Sequence, residues 1–249
     1  MIGGIRRWLP AWHTRDRKTY VVFWSLTTLA ILLAVVLYTG IFWELRAGAA
    51  HAVNRLFLFW SWSKFIHAVS PAVLIYNPHV LYAFEHSVVS ARAVYLPFAY
   101  PPTMLLLIWP LAALPPAVAL VLWLGVSGAL YAWACWHRPW GPLIALLALA
   151  APSTLAAMFY GEVSLLVAAC IIGGCRLVGR RPILAGVLFG LAAVKPQFGL
   201  LVPVALLSAR EWRCLIAATM TVGLTAAMSG VAFGWAAWLD LPASLAALS

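Results

Sequence analysis

Charge is what this sequence has least of. Only 9% of its 249 residues are charged and six are acidic, against about 25% charged residues in soluble domains, so an ordinary water-facing globular surface cannot be assembled from it. Cysteine is scarce as well. Cys135, Cys170, Cys175 and Cys214 lie in or at the ends of apolar segments, at spacings that fit neither a zinc ribbon nor an extracytoplasmic disulfide framework, and they read as packing residues. No GxxxxGK[ST] loop, GxGxxG unit, HExxH helix or GxSxG elbow occurs, which leaves soluble nucleotide chemistry without support. The bases give a net charge of +10 but are scattered between apolar stretches and form no single basic face, so no nucleic-acid partner is expected. His79 and His86 stand seven apart, a spacing too weak to define a metal site. No metal and no cofactor are expected.

What the chain does have is apolar length: 65% of its residues are hydrophobic, against about 45–50% in soluble proteins. The run Tyr20–Phe42 holds 23 residues without a charge, enough at about 1.5 Å per residue to cross a hydrocarbon core of roughly 30 Å. Arg6, Arg7, Arg15, Arg17 and Lys18 precede it. Its length exceeds the about 7–15 apolar residues of a signal sequence, and no small-residue cleavage site follows, so it reads as a spanning helix.

The organisation expected is a basic N-terminus over 1–19, a first transmembrane helix over 20–42, an outer loop over 43–102, a helical bundle over 103–236 and an outer C-terminal segment over 237–249. Within the loop, Leu56 to Val69 suits either an interfacial helix, with Trp60 and Trp62 at headgroup depth, or a helix packed on the bundle. Thr103 to Ala113 is too short to span and reads as re-entrant. Further apolar segments follow at Ala117–Trp136, Gly141–Tyr160, Val163–Cys175, Ile183–Val194, Phe198–Leu207 and Cys214–Trp235. The fold class is therefore all-α, a polytopic bundle of about seven spans plus the re-entrant piece. With the N-terminus in the cytoplasm, eleven Lys and Arg fall on the cytoplasmic side and five on the outer side, the asymmetry that sets orientation in a plasma (inner) membrane.

This topology sends the polar segments to one face: Tyr100-Pro101-Pro102, Gly161-Glu162-Val163-Ser164 and Lys195-Pro196-Gln197. A cation at membrane depth is costly unless it pairs with an anion or faces water, and a lipid phosphate would satisfy Lys195, as would snorkelling to the headgroups. Glu162 is placed to pair with Lys195, to bind a sugar hydroxyl, or to sit solvated in a turn. Candidates for acid or base work in the loop include Glu44, Glu85, His51 and His67, with no paired spacing to choose among them.

Several stretches taken in order carry a resemblance. They are Phe59-Trp60-Ser61-Trp62-Ser63-Lys64-Phe65, Pro71-Ala72-Val73-Leu74-Ile75-Tyr76-Asn77, and Tyr100-Pro101-Pro102 running to Trp109-Pro110-Leu111-Ala112-Ala113-Leu114-Pro115. Gly161-Glu162-Val163-Ser164 follows, and then Arg181-Pro182-Ile183-Leu184-Ala185-Gly186 running to Lys195-Pro196-Gln197. Through most of its length the chain resembles glycosyltransferase family 87, polyprenyl-phosphate-mannose-dependent mannosyltransferase-like membrane proteins of the GT-C class. The resemblance implies transfer of a sugar from a polyprenyl-phosphate donor to a glycan or glycolipid acceptor on the outer face, without a bound metal. It implies a loop aspartate as general base and cations, here Lys195 and Arg92, holding the lipid phosphate, with Gln197 and Tyr100 beside them.

Two departures bear on the chemistry. Where the family has an aspartate shortly before its Phe-Trp pair, this chain has Asn54-Arg55, and neither side chain is a carboxylate base. Glu162 stands where the family often has glutamine. The chain also stops near the middle of the usual bundle, so a truncated or inactive member is one expectation. If it is active, Glu85, Glu44 or Glu162 must replace the missing base. A non-catalytic lipid-phosphate-binding or assembly subunit, with a membrane-protein partner, is the alternative. A small-solute transporter ranks last, because no inverted repeat is visible.

Overall fold

The computed structural model describes residues 57–88, 96–136 and 141–246. The expected first helix over 20–42 and residues Glu44, Asn54, Arg55 and Arg92 lie outside them. All regular structure among the described residues is helical, as the apolar composition requires, since a chain in lipid must satisfy its backbone groups within its own segments.

Prolines start helices here more often than they interrupt them. Helices over Pro116–Cys135 (α4), Pro152–Phe159 (α6) and Pro182–Leu191 (α8) each carry proline in the first turn, where its missing N–H has no intrahelical acceptor in any case. Proline also divides one expected segment. Gly141–Tyr160 is a bent pair, Gly141–Ala150 (α5) and α6, meeting at 58°. Pro152 cannot donate into the ladder and holds Ala151 extended.

The loop ahead of the bundle is itself ordered. Its helices Leu58–Ala68 (α1) and Pro78–Val88 (α2) flank a 3-10 turn at Ala72–Tyr76. α1 packs on Thr103–Ile108 (α3) and the following 3-10 turn Trp109–Ala113. It is pinned there by Ser63 Oγ donating to the Trp109 carbonyl at 3.0 Å and Trp60 Nε1 to the Leu114 carbonyl at 2.9 Å. Trp62 and Phe65 are buried completely against Met104, Leu105 and Ile108 in one core. The expected packing of this helix on the bundle is present. Trp62 lies in the core, its ring filling the space between α1 and the Phe98-Tyr100 stretch.

Ser164–Leu177 (α7) runs beside α4 in the same direction. Trp123 in the first half of α4 donates to the Gly161 carbonyl at 3.0 Å, and Arg176 near the end of α7 donates to the Trp133 and Ala134 carbonyls, near the end of α4, at 3.0 and 2.7 Å. α8 returns antiparallel to α7. After the short helices Pro196–Gly199 (α9) and Leu201–Ser208 (α10), Trp212–Phe233 (α11) lies parallel to α8 along a seam of small residues: a methyl group at Gly190 would meet Thr221 Cβ at 2.5 Å and the Ala218 carbonyl at 2.8 Å. The bundle thus has two ends. One carries the loop helices, Glu162 and Lys195; the other carries Arg176, Arg180, Arg181, Arg210 and Arg213. The segment from residue 237 onward is helical through Ala236–Ala246 (α12) and leans on the 3-10 turn at Ala72–Tyr76.

Two described helices, α4 and α11, are long and apolar enough to cross a membrane, and three if the bent pair counts as one. α7 has 14 residues and α8 has 10, about 21 and 15 Å of rise, less than the roughly 30 Å of a hydrocarbon core. The described helices therefore support a membrane protein but not a count of seven spans. Cys170 and Cys214 are buried as expected of packing residues. Cys175 departs from that reading: it is exposed.

Candidate functional site

The turn between α6 and α7 places the first acid. Gly161 adopts φ +63°, a left-handed conformation open to glycine without steric cost, and the reversal sets Glu162 just ahead of α7. The helix N-terminus there favours a carboxylate. Glu162 Oε2 accepts from Ser164 Oγ at 2.6 Å, two residues on.

Lys195 arrives from the opposite direction, at the end of α8 and the 3-10 turn Ala192–Val194. Pro196 forces it out of the helical region, to φ −120° and ψ 86°, so its side chain leaves the helix axis and turns towards α7. Lys195 Nζ donates to Glu162 Oε2 at 3.1 Å and to Ser164 Oγ at 2.8 Å, closing a three-membered polar ring. The lysine side chain is 12% exposed and the glutamate 44%. The cation is the sheltered member of the pair, and the carboxylate faces open space. The Tyr100 and Phe198 rings lie 5.9 and 5.7 Å from Nζ, within cation–π range.

These groups line a cavity of about 370 Å³, whose walls include Trp62, Tyr100, Tyr160, Glu162, Lys195 and Gln197. Tyr100 is fixed through its carbonyl, which accepts from the Tyr76 hydroxyl at 2.8 Å. Burial, with the negative charge of Glu162 as a smaller cause, pushes the Tyr100 hydroxyl up to about 12, so it remains a donor at neutral pH. The cavity has what an anionic, hydroxyl-bearing ligand needs: a cation held by packing, a carboxylate beside it, a phenol and aromatic faces.

Of the residues singled out in the sequence, four converge here: Tyr100, Glu162, Lys195 and Gln197. Glu85 does not line the cavity. It is wholly buried on α2, where Trp62 Nε1 donates to its Oε1 at 3.0 Å. Burial pushes its carboxyl from 4.5 up to about 7, against the smaller opposing effects of the Trp62 hydrogen bond and the Leu96 amide. Sequence reasoning missed the ring-closing role of Ser164 and the cavity position of Tyr160. The Glu-x-Ser spacing across a helix start was the available signal for the first; an aromatic before Gly-Glu carries none by itself. Among the described residues, no group of three or more His, Cys, Asp or Glu side chains converges as a metal site.

Among the described residues, a helical bundle with helices apolar enough to cross a membrane carries a cation-bearing polar cavity at the end where the loop helices pack. The chain belongs to glycosyltransferase family 87, whose sequence pattern matches residues 98–249. The match contains Tyr100, Glu162, Lys195 and Gln197 and begins after Trp62 and Glu85. Family membership implies a sugar donor, an acceptor and surrounding membrane lipids. No curated protein and no solved structure matches the chain.

Proposed function

We propose that this chain transfers a hexose, mannose in the first instance, from a polyprenyl-phosphate sugar to a glycan or glycolipid hydroxyl, at the extracytoplasmic face of the plasma (inner) membrane. The observation that carries this reading is the Lys195–Glu162–Ser164 ring on the wall of the cavity. In the reaction the acceptor oxygen bonds to the anomeric carbon while the bond from that carbon to the phosphate oxygen breaks. The lipid phosphate leaves with the electron pair, and a base takes the acceptor proton. Lys195, already desolvated and oriented, would stabilise the departing phosphate. Glu162 is the carboxylate with access to the cavity and would take the proton, whereas the Glu85 carboxyl is walled off behind Trp62.

The test is sugar transfer from radiolabelled polyprenyl-phosphate-mannose by the purified chain in membranes. Transfer lost in both Lys195→Ala and Glu162→Gln supports the reading; transfer that survives both removes it. A second reading, a non-catalytic subunit that binds lipid phosphate and pairs with another membrane protein, is favoured by one feature: the carboxylate on the cavity wall, Glu162, is ion-paired with Lys195, which weakens it as a base. Phosphate-lipid binding without transfer, together with a co-purifying partner, would establish it.

A further inference from the structure

The buried acid behind the cavity has a task that the reaction leaves unassigned. Glu85 is fully enclosed on α2; the Trp62 indole and the Leu96 amide act on its carboxyl, while its Oε2 has no hydrogen-bond partner, a burial that costs stability. Its Oε1 accepts the indole N–H of Trp62, at 3.0 Å, from a different helix. A buried indole N–H needs an acceptor, and here the acceptor fixes the rotation of the whole ring. Trp62 is the hub of the aromatic wall. Its ring centroid lies 5.5 Å from Phe59, 5.0 Å from Phe98 and 5.9 Å from Tyr100, each in an edge-on arrangement. The Tyr100 ring in turn lies 5.9 Å from Lys195 Nζ.

We propose that Glu85 is a positioning residue: by holding the Trp62 indole it fixes the Tyr100 ring, and so the place of the Lys195 ammonium on the cavity wall. This rests on the cavity being the working site, though not on which molecule fills it. Oε1 can accept the indole N–H whether or not the carboxyl is ionised, so the task needs an acceptor of this shape and no negative charge. Glutamine should therefore perform it, and leucine should not. A proton-transfer role would demand the reverse, with glutamine failing like leucine.

The experiment measures how fast an acetylating reagent modifies Lys195 in the full chain in detergent, read by the mass of its peptide, with no donor or acceptor present. Glu85→Leu and Trp62→Phe should each raise that rate by about tenfold, the scale of one lost buried hydrogen bond to a carboxyl. The double variant should exceed the larger single effect by no more than about twofold, since both changes break one bond. Glu85→Gln should keep the parental rate. A parental rate in Trp62→Phe, effects that multiply, or a glutamine variant as perturbed as the leucine variant would each overturn the proposal. If Glu85→Leu fails to fold, Trp62→Phe and Glu85→Gln, checked by melting, still decide it. Because no sugar transfer is read, a failure here is separate from a failure of the transferase reading.

Discussion

At one end of the bundle a single lysine is 12% exposed, bonded to a carboxylate and a hydroxyl, and flanked by two aromatic rings. At the other end Arg180, Arg181, Arg210 and Arg213 are all exposed, and Arg176 spends its guanidinium on the last carbonyls of α4. Among the described residues, positive charge is thus denser at the end without the cavity, five arginines against Lys64 and Lys195. What separates the ends is how the charge is held. A cation gains chemical leverage when packing has removed its water and fixed its direction, whereas exposed bases at helix ends anchor, orient and cap.

The largest expected contrast comes from deleting one charge at each end. Lys195→Ala should lower sugar transfer by about 100-fold or more, the scale of removing an oriented charge-stabilising donor. Arg180→Ala, losing an exposed charge, should stay within about twofold in the same assay. Equal losses would erase the distinction between the ends.

Next is the seam that both ends share. Gly190→Val would drive two methyl groups into Thr221 and the Ala218 carbonyl, and should cost about 1–3 kcal/mol by overpacking. A fall in the melting temperature should come with loss at the cavity, because Lys195 follows directly from α8. An unchanged melting temperature would mean that α8 and α11 do not meet as described.

A subtler probe uses Glu85. Its carboxyl is raised from 4.5 to about 7, so the folded chain holds that proton more tightly than the unfolded chain. The stability this contributes is complete below pH 4.5 and is lost as pH rises through about 7. Glu85→Gln should flatten the melting profile across that window, and an unaltered slope would assign the pH dependence to other groups. Smallest of all, Arg176→Ala should cost about 0.3–1 kcal/mol through the uncapped end of α4 and leave transfer intact, measured by melting and by the radiolabel assay.

The convergence of Tyr100, Glu162, Lys195 and Gln197 was legible in the sequence because alternating apolar segments with short polar joints force successive joints to opposite ends, and these residues share one parity. The division of Gly141–Tyr160 was not read, although Pro152 carried the signal, because proline at a helix start and proline in a kink look alike in sequence. The burial of Trp62 was open for a different reason: an aromatic, weakly charged helix suits a membrane surface and a protein core equally. Glu85 drew notice as an acid in the loop, but its bond to Trp62 joins residues 23 apart, and no local pattern encodes that pairing. The family pattern over residues 98–249 reinforces the bundle, while α1 and α2 ahead of it rest on their own packing.

The bond between Lys195 and Glu162 makes the cavity its own competitor. On the proposed function, an arriving phosphate would have to take the ammonium from a carboxylate already 3.1 Å away, so part of its attraction is cancelled by the contact it displaces. Once displaced, that carboxylate, still accepting from Ser164 Oγ, would lose its neighbouring cation and so become the stronger base. Weak capture and a freshly liberated base are then two results of one exchange. Glu162→Gln should make the site stickier for anions while making it slower, and a ligand that holds on best need not be one that reacts.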